Sequence, residues 1–298
     1  MKYTKPPVSF LDQIQKLKNR GLIINNEALA KTYLSNISFY RLRAYTYPFQ
    51  NNLDPNHPFN VEVSFEQIIE LYTFDRKLRL LVLDAIEKIE IAFRTQIIYQ
   101  WAMTYGSHWQ LDQNLYRSRS QYIKHLASLQ KEIDRTNETF IKHYKETYTS
   151  PSQPPSWMSL EVSSFGLLSL IYKNLKSCPE KKNVAKHFGL RDFNILENWM
   201  HNFSNIRNTC AHHGRLWNRR IAIPIKIPRK PIYNFIVNKQ IYPNKVYASL
   251  CSMVYIISII NPTSTFKQKV LELMNSCPMK QEKEMGFPIN WRKENFWQ

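Results

Sequence analysis

The sequence predicts an all-α protein, a multi-helix bundle preceded by an N-terminal helical extension. Glycine is rare, with six in 298 residues, and no glycine-rich loop is present. Long stretches instead place apolar residues three and four positions apart, the spacing of helices that bury one face. A hydrophobic content of 43% is enough for a sizeable core in one large domain or two small ones.

Two short helices are expected in the extension, residues 1–60. Ser9 is placed to cap a helix that runs to about Arg20, and Gly21 is placed to end it. A second helix is predicted over roughly Asn26 to Asn36. The segment Ile37–Phe49 then alternates aromatic residues with arginines, which either bind RNA or extend as cations over an aromatic core.

A helical core is predicted over residues 61–276, followed by a tail over 277–298. Ser64 and Gln67 have the spacing of a capping box and open a long helix to about Tyr105. Its core-facing positions are expected to be Leu71, Phe74, Leu78, Val82, Ala85, Ile89 and Ala92. The later helices are expected at about Ser118–Tyr148, Trp157–Leu175, Glu180–Phe188, Asp192–His212, Pro243–Ile260 and Ser264–Asn275.

The net charge is +18 and is unevenly distributed. No Asp or Glu occurs from Asn198 to Leu271, whereas that segment holds five Arg and six Lys. Within this segment, helical periodicity is lost over His213–Tyr242, which predicts an extended basic loop. A concentration of positive charge in one segment favours a polyanion as the binding partner. Because the segment contains no basic amphipathic helix, we favour nucleic acid over a membrane as that partner.

No metal or cofactor site is expected. The four cysteines lie far apart and lack zinc-ribbon spacing: Cys178, Cys210, Cys251 and Cys277. The stretch Met1–Pro7 has no apolar region of the kind found in signal peptides, and the apolar run Val246–Ile260 is too short to span a membrane. We therefore expect a cytoplasmic protein.

The end of the predicted helix Asp192–His212 carries the main candidate site. Arg207, Asn208, His212 and His213 place one permanent cation, one carboxamide and two imidazoles within seven residues. An arginine can hold a phosphate, and a histidine can move a proton near neutral pH. The alternative is a helix C-terminus whose basic residues only interact with its dipole. Gly214 is expected to end the helix.

The spacing of Arg207 and His212 is not specific by itself. Arg119 and His125 satisfy it as well, but polar residues flank them and we interpret that pair as a coincidence. A thiol mechanism through Cys210 and His212 lacks an orienting acid nearby. Trp199 and Trp217 bracket the motif and are expected to pack rather than to stack on bases. Candidate RNA-binding residues follow at Arg215, Arg219, Arg220, Lys226, Arg229 and Lys230.

The stretch Arg207–Arg219 resembles the signature of abortive-infection proteins of the AbiD/AbiF type, which carry a HEPN domain. The HEPN hallmark is an arginine, a polar residue and then a histidine. Further blocks that resemble the family occur in order along nearly the whole chain, at residues 21–24, 40–42, 72–79, 89–94, 157–166 and 286–291.

The resemblance implies an all-α HEPN-like bundle, phage defence and metal-independent RNA cleavage, with two motifs meeting across a homodimer. His212 would act as general base or acid, and Arg207 would bind the scissile phosphate. Asn208 would orient the phosphate or the imidazole. His213 is expected to assist or, more simply, to bond the helix end.

Three further residues are candidates for supporting the motif. The resemblance suggests a polar residue from an earlier helix, and Glu90 or Arg94 fits, although an i, i+4 surface pair is the simpler interpretation. Glu161 lies in a predicted apolar helix and needs a partner, for which Arg207 is a candidate.

Two other functions remain open at this point. The protein could be a non-catalytic RNA-binding module complexed with a structured noncoding RNA, or a HEPN subunit acting with a nucleotidyltransferase. RNA is the expected partner both of the ribonuclease and of the non-catalytic RNA-binding module.

Overall fold

The computed structural model describes residues 2, 4, 6–238 and 240–298. The expectation that Met1–Pro7 is not part of a signal peptide therefore lies partly outside the described residues. The structure confirms the all-α class, because extended pairing in the described residues is limited to isolated bridges. The α-helices are α1 (Phe10–Asn19), α2 (Glu27–Ile37), α3 (Phe39–Thr46), α4 (Phe65–Tyr105), α5 (Arg119–Arg135), α6 (Thr139–Thr147), α7 (Ser156–Ser159), α8 (Phe165–Asn174), α9 (Pro179–His187), α10 (Phe193–Ala211), α11 (Val246–Ile260) and α12 (Phe266–Asn275).

Internal packing divides the chain into two compact units. The first comprises Met1–Leu78 and Glu272–Glu282, and the second comprises Arg79–Leu271 and Lys283–Gln298. In the first unit, α2 packs against α1 and α3. In the second, α10 packs against α8, α9 and α11, while α5 packs against α8. The predicted division into extension, core and tail stays a prediction.

The predicted helix starts in the first unit are confirmed by their caps. The Ser9 hydroxyl accepts a hydrogen bond from the Asp12 backbone N–H at 3.2 Å, and Gly21 adopts φ +95° just after α1. In the capping box, the Gln67 N–H donates to Ser64 Oγ at 3.2 Å, and the Ser64 N–H donates to Gln67 Oε1 at 2.9 Å. All of the predicted core positions on α4 are buried except Ala92, which is half-buried.

The prediction of one helix over Ser118–Tyr148 was wrong, because the chain breaks between α5 and α6. Thr136 is extended, and its hydroxyl accepts from the Glu138 N–H at 3.4 Å. Threonine side chains compete in this way with helical hydrogen bonds.

The prediction of one helix over Trp157–Leu175 was also wrong, because Ser164 starts a new helix, α8. Its hydroxyl accepts from the Leu167 N–H at 3.4 Å. The Ser164 N–H and hydroxyl in turn donate to the Glu132 carboxylate of α5, at 2.7 and 2.8 Å.

Among the described residues, no helix combines the length and apolar character that crossing a membrane requires.

Candidate functional site

Helix α10 carries the arginine–histidine motif, and its buried face fixes the direction of the motif. Asp192 caps the helix by accepting from the Asn194 N–H at 2.8 Å. The buried apolar side chains recur at helical spacing and are Leu196, Trp199, Met200, Phe203, Ile206 and Cys210. Arg207 and Asn208 are both exposed. Arg207 follows Phe203 by four residues and so extends from the C-terminal end of the apolar stripe, whereas Asn208 lies on the opposite side of the helix.

The end of α10 is a complete Schellman motif, in which two backbone bonds close the last turn. The Gly214 N–H donates to the Thr209 carbonyl at 2.8 Å, and the His213 N–H donates to the Cys210 carbonyl at 3.0 Å. His212 is the C-cap, and His213 takes the left-handed position with φ +56°. The helix does end here as predicted, but His213 rather than Gly214 supplies the left-handed residue.

Gly214 is needed for a different reason, which is close approach. A β-carbon at this position would lie 3.1 Å from the Thr209 carbonyl oxygen and 3.2 Å from the Thr209 methyl group. Glycine therefore lets the chain turn back over the last helical turn.

Arg207 and His212 both present their polar groups to solvent. The Arg207 Nη1 group donates to Asn208 Oδ1 at 3.3 Å, and Arg207 forms no ion pair with the described residues. Because α10 stays regular to Ala211, Arg207 and His212 point about 140° apart around the axis. The two side chains can therefore meet at one phosphate only beyond the end of the helix or across two chains.

Glu90 and Arg94 of α4 form a largely buried ion pair, which replaces the simpler expectation of a surface pair. Arg94 Nη2 lies 2.7 Å from Glu90 Oε1, and the two side chains are 11% and 17% exposed. Arg94 also donates to the carbonyls of Glu161 and of Ser163, the latter at 2.9 Å. The pair thus holds the turn that joins α7 to α8.

Glu161 lies in that turn and is exposed, so its predicted place within an apolar helix was wrong. Its carboxylate lies 3.8 Å from Arg94, which is its ion-pair partner in place of Arg207. Burial raises the pKa of Glu90, while the positive charges of Arg94 and then Arg207 oppose the rise. Glu90 is therefore close enough to the motif for the charge of Arg207 to act on it.

The basic loop after α10 is fastened along the helix by three side chains. Asn198 donates to the Pro224 carbonyl at 3.0 Å and accepts from the Lys226 N–H at 2.6 Å. Trp199 donates to the Lys226 carbonyl at 2.8 Å, and Asn202 donates to the Ile223 carbonyl at 2.6 Å. We call Asn198, Trp199 and Asn202 the loop clamp.

The clamp sorts the loop into a buried and an exposed side. Ile221, Ile225 and Pro228 are buried, whereas the intervening basic side chains reach solvent. The exposed predicted RNA-binding residues are Arg219, Arg220, Lys226, Arg229 and Lys230. Arg215 is half-buried, with its guanidinium 5.6 Å from the centre of the Trp217 ring.

Trp199 and Trp217 are fully buried, which confirms that they pack rather than stack on bases. Cys210 is also buried, which argues against a thiol nucleophile. His125 is buried as well, and burial lowers its pKa, in keeping with the interpretation of Arg119 and His125 as a coincidence.

The sequence did not reveal a buried charge cluster at the start of α10. The Lys181 ammonium, fully buried, lies 2.6 Å from Glu197, and the Arg117 guanidinium lies 3.1 Å from the same carboxylate. Burial lowers the pKa of Lys181 to about 8. Glu197 is the last acid before the acid-free segment, and its negative charge is already balanced by Lys181 and Arg117. It therefore does not offset the basic loop.

The described residues contain no group of three His, Cys, Asp or Glu side chains arranged to hold a metal ion.

The fold and site define an all-α protein with an arginine–histidine helix end beside a clamped basic loop. A family model described as Abi-like protein matches residues 32–218. Because the match covers more than half of the chain, the protein belongs to the Abi-like family. The matched region includes α10, both histidines and Gly214. No curated protein and no solved structure shows a significant match.

Proposed function

We propose that the protein is a metal-independent HEPN endoribonuclease of the AbiD/AbiF type. The observation that carries the proposal is the exposed end of α10, where Arg207 and His212 lie beside an acid-free basic loop. Membership of the Abi-like family supports a role in phage defence by abortive infection. The HEPN motif and its chemistry rest on the family resemblance and on the accessibility of these side chains.

RNA supplies its own nucleophile in this reaction, the 2′-hydroxyl. His212 accepts the proton from that hydroxyl as the 2′-oxygen forms its bond to phosphorus. The bond from phosphorus to the 5′-oxygen breaks, and the leaving oxygen takes a proton from a second acid. The products are a 2′,3′-cyclic phosphate and a 5′-hydroxyl.

Arg207 is the candidate for stabilising the charge that grows on the phosphoryl oxygens. Its guanidinium can donate two parallel hydrogen bonds to a phosphate. Asn208, which already accepts from Arg207 at 3.3 Å, holds the guanidinium in place. The exposed basic residues of the loop contact the flanking phosphates without reading sequence.

The second acid is the reason for proposing a homodimer. One chain supplies one Arg207–His212 pair, while the transfer needs a base on one side and an acid on the other. His212 of the partner subunit would complete the site.

The test is cleavage of a labelled RNA in the presence of EDTA. His212→Ala removes the proton-transfer group and should lower the cleavage rate by about 100- to 10 000-fold. Arg207→Ala removes the charge that stabilises the phosphoryl oxygens and should lower the cleavage rate by about 100- to 1000-fold. Exposed residues elsewhere provide the matched controls, His143→Ala and Arg119→Ala, which should cleave normally.

Product chemistry provides an independent criterion. A substrate with 2′-deoxyribose at the cleavage positions should bind and stay intact, and the cut RNA should carry cyclic phosphate ends. Cleavage that EDTA abolishes, or that both α10 variants retain, contradicts the mechanism.

A second candidate is a non-catalytic protein that holds a structured noncoding RNA. The loop clamp favours it, because a basic surface fixed to a helix binds an RNA without any need for catalysis. Under this alternative, wild-type and His212→Ala protein co-purify with the same uncut RNA, which sequencing of the bound RNA and mapping of its ends would show.

A further inference from the structure

The first unit contains a cavity of about 760 Å³, lined by α1, the residues preceding it, the end of α2, the start of α3 and the loop around His57. Its volume lies within the range of small-molecule sites, about 300–1000 Å³. None of the residues of the candidate ribonuclease site lines it. The cavity therefore shares no residue with the proposed ribonuclease site.

The charged side chains of the cavity wall are all basic. Lys16, Arg20 and Arg43 line it, and no Asp or Glu does so. Neither Arg20 nor Arg43 forms an ion pair with the described residues, although both side chains are half-buried. Burial and the nearby charge of Arg43 lower the pKa of Arg20. Two like charges in a partly desolvated wall are unfavourable unless an anion joins them.

No described acid forms an ion pair with the cations of this wall. Asp12, which lines a neighbouring pocket together with Lys16 and Arg20, accepts a hydrogen bond from the Ser9 hydroxyl at 2.6 Å, and Glu27 pairs with Lys18. The wall therefore keeps an excess of positive charge that a bound anion would balance.

The backbone adds hydrogen-bond donors to the same cavity. Ser38 and Phe39 line it at the start of α3, where the Ser38 hydroxyl accepts from the Arg41 N–H and only the N–H groups of Phe39 and Tyr40 have no intrahelical partner. Ser38 adopts φ +68°, a conformation that serine rarely takes. His57, also in the wall, has a buried Nδ1 atom that no described residue hydrogen-bonds. Guanidinium groups, a helix start and an imidazole together match the oxygens of a phosphate.

Aromatic rings form the rest of the wall. Tyr40 is 77% exposed although it lines the cavity, and its ring meets that of Phe39 edge to face at 6.3 Å. Phe10 is also exposed, at 41%. Exposed rings beside phosphate-binding cations form a stacking platform for nucleic-acid bases.

We propose that this cavity binds a phosphorylated nucleoside, with its phosphate between Arg20 and Arg43 and its base against Tyr40. The nucleoside is either a free nucleotide or the 5′-terminal nucleotide of an RNA. The site goes beyond the ribonuclease proposal and does not depend on it.

The test is calorimetric titration of the full-length protein with ATP, adenosine and inorganic triphosphate. ATP should bind, and Arg20→Gln and Arg43→Gln should each weaken its binding by at least about 10-fold. Tyr40→Ala should weaken ATP binding by about 5-fold or more and leave the binding of triphosphate unchanged. Lys31→Gln, an equal loss of charge on exposed α2, is the matched control and should bind like the wild type.

Folding of the variants is checked without ligand. Because Arg20 and Arg43 repel each other, removing either should leave the melting temperature equal to or above that of the wild type. A loss of ATP binding with an unchanged melting temperature then reports on the site and not on unfolding.

A second titration separates the two sources of the ligand. Diadenosine carrying a 5′-phosphate is compared with the same dinucleotide carrying a 5′-hydroxyl. A gain from the 5′-phosphate that Arg43→Gln removes, without binding of ATP, assigns the site to an RNA end. Binding of ATP assigns it to a free nucleotide.

Three results would overturn the proposal. One is the absence of both ATP binding and a gain from the 5′-phosphate. Another is equal weakening of ATP binding by Lys31→Gln and Arg43→Gln. The third is triphosphate binding as tight as that of ATP and insensitive to Tyr40→Ala, which would exclude the nucleoside.

Discussion

At the scale of the residue, His213 holds an unfavourable backbone conformation at the centre of the candidate site. Its φ of +56° places it where a Schellman motif usually has glycine. Replacing His213 with glycine should therefore raise the free energy of unfolding by about 0.5–1 kcal/mol, measured by urea denaturation. RNA cleavage should be unchanged, because His212 and not His213 is the proposed proton carrier.

His213→Asn is the matched control for that experiment. Asparagine keeps a β-carbon but tolerates the left-handed region, so its effect on stability should lie between those of histidine and glycine. A glycine variant less stable than the wild type would mean that contacts of the imidazole outweigh its backbone strain. A stable variant that no longer cleaves RNA would instead make His213 catalytic.

The sequence predicted the helix end but not which residue would turn it. Gly214 was the natural expectation, since glycine adopts positive φ without cost. The hydrogen bonds to the carbonyls of Thr209 and Cys210 close the turn one residue earlier, at His213. Gly214 is needed because a β-carbon there would crowd Thr209. That requirement depends on distances in the folded chain, which the sequence alone does not give.

At the scale of the element, the loop clamp decides whether the basic loop is a fixed surface or a flexible tail. Asn202 is fully buried, and its amide donates to the Ile223 carbonyl. Asn202→Ala leaves that carbonyl without a partner and should cost about 1–2 kcal/mol of stability. The freed loop should show faster amide hydrogen exchange over residues 221–228 and weaker RNA binding.

Lys226→Ala separates the two roles of the loop. It removes one exposed cation but keeps the backbone bonds between Lys226 and the clamp. RNA affinity should fall with a salt dependence reduced by about one charge, while hydrogen exchange stays that of the wild type. If Asn202→Ala leaves exchange in the loop unchanged, the clamp does not hold it.

Elements with strong local signals were the ones that the sequence predicted best. The caps at Ser9 and Ser64 and the apolar spacing of α4 are local, and they appear as expected. The break at Ser164 depends instead on Glu132, a residue 32 positions away in α5. The clamp likewise joins α10 to a loop more than 20 residues further on, so neither could be read from neighbouring residues.

At the scale of the whole molecule, the uneven charge acquires a structural explanation. The acid-free segment Asn198–Leu271 includes the end of α10, the basic loop and the buried helix α11. Helix α11 contributes no charge, so the excess lies largely on the loop that α10 holds. The charge pattern predicted a polyanion partner, and the fold shows which part of that segment is accessible to one.

The remaining question at this scale is whether one active site draws on two chains, and mixing active with inactive protein answers it. Wild-type and His212→Ala proteins are unfolded together, refolded at equal concentration and assayed for RNA cleavage. If each site needs His212 from both chains, only dimers of two wild-type chains are active. These are a quarter of all dimers, so activity should fall to about a quarter of that of wild-type protein at the same total concentration. If each chain acts alone, half of the sites stay intact and activity should fall only to about a half. Wild-type protein refolded with His143→Ala, which keeps His212, is the control and should retain full activity.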